Sequence, residues 1–181
     1  MERRQILKAS GIVVTAGLTG LAGCSGDDDT AEPTDQSPGS GSNGNSTVEM
    51  VTSNGEYYFD PIGMFVEVGE TVTFENVEGG HSTISYKDGV GQATTTRIPD
   101  GAQSWESSIL TESEATYEHT FETGGTYDYF CGPHKSLEMV GRIVVGEPGG
   151  PAEGSMPPDS SVPESQSIVD SGSVSYQQFS G

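Results

Sequence analysis

One short stretch limits the possible fold more than any other. From Tyr127 to Met139 the chain reads Tyr-Asp-Tyr-Phe-Cys-Gly-Pro-His-Lys-Ser-Leu-Glu-Met, setting Cys131, His134 and Met139 in a C-x-x-H-x-x-x-x-M spacing. A thiolate, an imidazole and a thioether in one loop are soft or borderline metal ligands. A strong thiolate with a weak, long axial Met suits both Cu(I) and Cu(II), so the set selects copper. A trigonal site needs one more imidazole. His81 is the useful one of the three histidines, because it follows the strand-like run Thr-Val-Thr-Phe-Glu-Asn and the Gly79-Gly80 turn. The fold therefore has to return a segment from fifty residues upstream to this loop. His81, Cys131 and His134 would then be the trigonal ligands, with Met139 axial.

The strand signals between Thr47 and Glu147 are short and punctuated by turns. Val48-Glu49-Met50-Val51 is one run, and Phe65–Val68 and Thr71–Phe74 flank Gly69-Glu70. Thr83–Tyr86, Tyr117–Phe121, Thr126–Cys131 and Arg142–Val145 follow. Many short strands without a long helical period argue for an all-β sandwich. Lys87 to Thr111 has few large apolar residues and is expected to be loop with one strand or a short helical turn.

A chain of 181 residues suits one domain with tails. Only 31% of it is hydrophobic and 26 residues are Gly, so part of it cannot be packed core. Its 27 acidic against 7 basic residues, a formal charge of -20, exclude the basic footprint that nucleic acid requires. Such acidity suits a milieu of very high salt, where screening suppresses self-repulsion, and a halophilic source is expected. Cys24 and Cys131 stand in unlike contexts and are not expected to pair.

Residues 1–23 have a charged start, Arg3-Arg4-Gln5-Ile6-Leu7-Lys8, and an apolar run from Ile12 to Gly23 too short to span about 30 Å of hydrocarbon, so a signal peptide is expected. Arg3–Lys8 resembles a twin-arginine export motif, and Leu21-Ala22-Gly23-Cys24 resembles a lipobox. Lipidated Cys24 would then anchor the chain to the outer face of the cell membrane, where two acyl chains suffice. Residues 24–46, rich in Asp, Gly, Ser, Asn and Pro, read as a flexible acidic tether. Residues 148–181 have similar composition and read as a disordered tail.

Other chemistries compete for the same residues. Cys131 as a buried free thiol with Met139 as filler would leave His81 and His134 unexplained. A Cys-His nucleophilic pair lacks an orienting third group, and zinc prefers Cys, His and carboxylate to Met. His119, between Tyr117 and Phe121, reads as a core or edge histidine, and Trp105 as a core or loop anchor.

The stretch Phe59–Asn76 together with Gly125–Val145 resembles the small blue copper proteins of the plastocyanin and halocyanin group, the cupredoxins. The first matches their F-x-P pattern followed by V-x-x-G-x-x-V-x-F-x-N, and the second their G-x-Y-x-Y-x-C-x-P-H-x-x-x-x-M-x-G. The resemblance spans 47–147 and implies a single-domain, two-sheet Greek-key β-sandwich. It also implies one type 1 copper ion on His81, Cys131, His134 and Met139, with His134 as the exposed ligand. The chain would be a monomeric electron carrier between membrane-bound or soluble redox proteins, not an enzyme. A copper-binding or copper-delivery protein at the cell surface is the alternative. Phe130 stands where plastocyanins usually have Tyr. Ser82 stands where Asn is common, so a hydrogen bond tying the two ligand loops would come from a shorter side chain. Pro133, Leu137 and Met64 are candidates for an apolar rim.

Overall fold

The computed structural model describes residues 46–181. The expected leader, Cys24 and the tether up to residue 45 lie outside the described residues. Hydrophobic alternation sets the first sheet, whose strands run in the order β2-β1-β4-β6 and comprise β1 (Thr47–Ser53), β2 (Glu56–Asp60), β4 (Glu70–Asn76) and β6 (Thr116–Phe121). Val48 and Met50 of β1, Val72 and Phe74 of β4, and Phe121 of β6 point into the core, while their neighbours face outward. Asn54 and Gly55, both at positive φ (54° and 86°), close the β1–β2 hairpin with the turn handedness that matches strand twist.

The second sheet has the order β5-β7-β8-β3-β9, with β3 (Gly63–Val66), β5 (Ile84–Ser85), β7 (Gly125–Phe130), β8 (Val140–Val145) and β9 (Ser173–Val174). The fold is thus an all-β two-sheet sandwich as expected, with both parallel pairs (β1 with β4, β3 with β8) and antiparallel ones. Between the sheets lie Phe59, Phe74, Trp105, Phe121, Tyr127, Tyr129 and Ile143. Trp105 comes from the 87–111 loop, its indole N–H donating to Thr83 Oγ1 at 3.0 Å. Two isolated bridges, His81 to Leu110 and Ile84 to Glu106, are the ladder pairing that loop achieves.

Every residue of β7 and β8 is buried, which means that both faces of this part of the sheet are covered. The second cover corrects the expected disordered tail: residues 148–181 are ordered against the outer face. Asp128 of β7 sits opposite Arg142 of β8, with Arg97 beside it, and all three are nearly inaccessible. Asp128 receives Arg97 Nε and Arg142 Nε, both at 2.7 Å. Besides a second Arg142 contact to Asp128, the terminal guanidinium nitrogens donate to Ala152 O, Ser155, Pro163 O and Ser165 Oγ, so a buried charge cluster draws the following chain over itself. Val162 and Ile168 then pack onto the sheet, α1 (Ser165–Ser171) lies beside β3 and β8, β9 adds an edge strand to β3, and α2 (Tyr176–Ser180) follows. Composition alone hides this, because the holding groups lie in 97–142. Among the described residues, no helix is long and apolar enough to cross a membrane.

Candidate metal centre

The turn after β4 is built to aim one imidazole. Asn76, fully buried, donates its amide to Gly79 O at 3.1 Å and Glu112 O at 2.9 Å. Gly79 has φ +100°, and a Cβ there would meet Thr52 Oγ1 at 2.6 Å and His81 Nε2 at 3.1 Å, so both conformation and space require glycine. His81 then exchanges backbone hydrogen bonds with Leu110. Its Nε2 lies 3.0 Å from Glu78 O and 2.9 Å from Thr52 Oγ1. A carbonyl only accepts, so Nε2 carries the proton and Nδ1 presents a lone pair inward.

The second loop starts where β7 ends. Cys131 N donates to Met139 O at 3.0 Å, Met139 N to His134 O at 3.3 Å and Leu137 N to His134 O at 2.9 Å. These bonds fold the loop around a short 3-10 turn at Lys135–Leu137. Ser82 ties the two loops as expected: its hydroxyl accepts from Gly132 N at 3.0 Å, and its own N–H points at Cys131 Sγ at 3.4 Å.

Three donor atoms converge as a result. Cys131 Sγ lies 3.7 Å from His81 Nδ1 and 3.5 Å from His134 Nδ1, and the two nitrogens are 3.2 Å apart. The centre of such a triangle is about 2 Å from each corner, close to the metal–nitrogen and metal–sulfur bond lengths of thiolate and imidazole sites. Met139, fully buried, ends the same loop. His81 Nδ1 presents its lone pair at a point that His134 Nδ1 and Cys131 Sγ can reach with theirs, so the donor set fits copper. Burial is the main influence on all three groups: it pushes the Cys131 thiol pKa up, against hydrogen bonds from Ser82 and the His134 backbone, and pushes His81 and His134 down. Glu78 pulls His81 the other way and His134 reinforces the lowering. Both imidazoles are thereby kept neutral, the form that ligates, and cation binding at Cys131 releases the thiol proton.

The structure brings His81, Cys131 and His134 within 4.8 Å of one another and buries Met139 in the adjoining loop. Cys24 lies outside the described residues. His119 sits away from this cluster, stacked on Trp105 at 4.5 Å. Of the expected rim, Pro133 and Leu137 are exposed, but Met64 is a correction: alternation along β3 turns it into the core, where it is 8% exposed. The sequence reading missed Tyr57, whose ring stacks on His134 at 4.0 Å and 19°. Its signal was the Asn54-Gly55 turn, which announces the hairpin partner β2 that carries it.

The sequence profile of the copper binding proteins of the plastocyanin/azurin family matches residues 46–146. Plastocyanin from Scenedesmus fuscus is 32% identical over 102 residues, 55% of this chain and 97% of that protein. Halocyanin from Natronomonas pharaonis is 32% identical over 106 residues, 56% of this chain and 58% of its own. Among solved structures, pseudoazurin from Methylobacterium extorquens AM1 has the same fold, with a TM-score of 0.50 at 23% identity over 69% of this chain and 93% of that one.

Proposed function

The chain belongs to the plastocyanin/azurin family of copper-binding proteins, and from that premise we propose that it carries single electrons on one type 1 copper ion held by His81, Cys131, His134 and Met139. The observation that carries the reading is the triangle of His81 Nδ1, Cys131 Sγ and His134 Nδ1, with sides of 3.2 to 3.7 Å. Copper supplies the one-electron couple. The chain's own residues supply everything else. Glu78 O and Thr52 fix the His81 tautomer, the Ser82 N–H supports negative charge on the Cys131 sulfur, and the loop hydrogen bonds set His134 and Met139 in place. A site stapled to both sheets moves little when its charge changes, which suits electron transfer. No ligand position is left open for substrate, so the protein is a carrier and not an enzyme.

The relatives named plastocyanin and halocyanin support an extracytoplasmic carrier serving redox proteins that are membrane-bound or soluble. Residues 1–23 as leader, Cys24 as lipid anchor on the outer face of the cell membrane, and the acidity as an adaptation to high salt complete the proposal. The carrier is monomeric.

The experiment is a visible spectrum of the full-length chain with one equivalent of Cu(II), beside Cys131→Ser. An intense thiolate-to-copper band that bleaches reversibly with mild reductant and is absent in the variant is the expected result. A pale spectrum typical of tetragonal Cu(II) overturns the reading. Detergent-phase partition of the mature protein and of Cys24→Ser tests the anchor: equal partition would exclude it.

A further inference from the structure

The 3-10 turn that carries the ligand loop from His134 towards Met139, Lys135–Leu137, buries none of its residues. Ser136, Leu137 and Glu138 are exposed, so core packing grips the loop at Cys131 and Met139 but not between them. Backbone hydrogen bonds close the turn, and Tyr57 stacks on the His134 ring. Lys135 is the side chain of the turn that reaches back to the rest of the domain. Its Nζ lies 5.3 Å from the centroid of the Phe130 ring and 5.8 Å from that of Tyr86, within range of a cation–π contact. At 2.7 Å it meets Asp159 Oδ2, a carboxylate oxygen of the C-terminal segment.

Asp159 is itself held. The same oxygen accepts from the Tyr86 hydroxyl at 2.6 Å, and Tyr86 is fully buried beside Phe130, with ring centroids 4.7 Å apart. Burial first, then the hydrogen bond and charge of Asp159 and the charge of Asp128, push the Tyr86 hydroxyl pKa up against the pull of Arg97, so the phenol keeps the proton it donates. Pro157 and Val162 are buried on either side of Asp159, Val162 in the cluster that contains Tyr86, Phe130 and Val140. The side chains of Lys135 and Asp159 are 17% and 22% exposed, a setting in which an ion pair is screened less than on an open surface. In a chain of formal charge -20, a lysine released from Asp159 has many other carboxylates to meet, so this contact decides which way the turn is drawn. Asp159 falls beyond residue 146, where the family match ends.

We propose that Asp159 is a positioning residue for the metal centre: through Lys135 it ties the ligand loop to the C-terminal segment and holds His134 in place while the charge of the site changes. The segment is thereby a strap on the ligand loop as well as a cover for the outer face of the sheet. The purpose of the strap rests on the electron-carrier reading; the tie itself does not.

The test compares the full-length chain with Asp159→Asn, Lys135→Met and the double variant. Asn keeps an acceptor for Tyr86 and removes the charge. In the metal-free chain, the amides of Leu137 and Met139, both bonded to His134 O, should exchange about fivefold faster in each single variant, the factor of a partly exposed ion pair, and no faster again in the double variant. Faster exchange confined to 148–165, with Leu137 and Met139 unchanged, would mean that Asp159 serves the segment alone and overturns the proposal. From the reduced, copper-loaded chain, bicinchoninate, a Cu(I) chelator, should strip the metal about fivefold faster in both single variants. The shared direction is the discriminating result. If the field of the two charges acted alone, loss of Asp159 would speed release of the cation and loss of Lys135 would slow it, and such opposite shifts overturn the strap. Absence of the blue copper band in the parent chain defeats the carrier reading, while amide exchange in the metal-free chain still decides the strap.

Discussion

Residues 46–146 and 147–181 belong to one folded unit but are held by different forces. The sandwich coheres through alternating apolar side chains meeting between two sheets, an attraction without direction that grows with buried area. The C-terminal segment buries few apolar residues, Ala152, Val162 and Ile168 with Pro157 and Pro163, and is held largely by polar contacts: hydrogen bonds from Arg97 and Arg142, and Tyr86 and Lys135 on Asp159. The arginine bonds exist because Asp128 holds both guanidinium groups in place. The first kind of cohesion loses strength residue by residue. The second concentrates on a few charged groups, Asp128 foremost.

The sharpest way to break the comparison is therefore Asp128→Ala. It leaves two buried guanidinium groups without a counter-charge, and removing one partner from a buried pair costs about 3–5 kcal/mol. Chemical denaturation should show a loss of that size. Amide exchange should show residues 148–165 unprotected before the sandwich strands; simultaneous loss in both regions would mean that they are a single cooperative unit. Ile168→Ala asks the same question through packing. The side chain is fully buried against Gly63, so truncation costs about 2–5 kcal/mol within its own unit. If the segment opens separately, its amides exchange faster while the midpoint of global unfolding hardly moves. Tyr57→Leu probes the copper end instead. Loss of an aromatic stack worth about 0.5–1.5 kcal/mol should loosen the His134 ring, seen as a shifted reduction potential with nearly unchanged stability. An unaltered potential would make Tyr57 a packing residue only.

These contrasts follow what the sequence made legible. Ligand spacing and strand alternation are local patterns, so His81, Cys131, His134 and most strands could be read directly. Ser82 as the tie between loops was expected through the family resemblance alone, as a shorter side chain where Asn is common, and its hydroxyl does accept from Gly132 N. Strand β2 was missed although Asn54-Gly55 signals a hairpin, because Tyr57-Tyr58-Phe59 is too uniformly aromatic to show alternation. With it went Tyr57. The C-terminal segment was illegible for a deeper reason: Gly, Pro, Ser and acidic residues cannot build a core, and what orders them is a charge cluster displayed by β7, β8 and Arg97. No window of the tail contains that information.

Acid titration should separate the two regions by pH without any substitution. In the sandwich, burial depresses the pKa of His119 below its ordinary 6.5, so the unfolded chain binds the proton more readily. Its contribution to stability is complete above pH 6.5 and is lost as pH falls through the folded value. In the C-terminal segment, burial pushes Glu153 up but is outweighed by hydroxyl donors Ser165 and Thr126 and by the charges of Arg142 and Arg97, leaving it below the ordinary 4.5. That contribution is present above pH 4.5 and disappears below it as the carboxylate is protonated and ceases to accept from Thr126 and Ser165, each at 2.6 Å. Glu153 is largely exposed, so the effect is the smallest of the set. Unfolding midpoints of the parent chain and of Glu153→Gln should accordingly be separate at pH 6 and converge as pH falls below 4.5, with exchange at 148–165 following the same course. Equal midpoints at both pH values would show that Glu153 does nothing for the segment, and would leave the Asp128 cluster and the Lys135–Asp159 ion pair as its charged anchors.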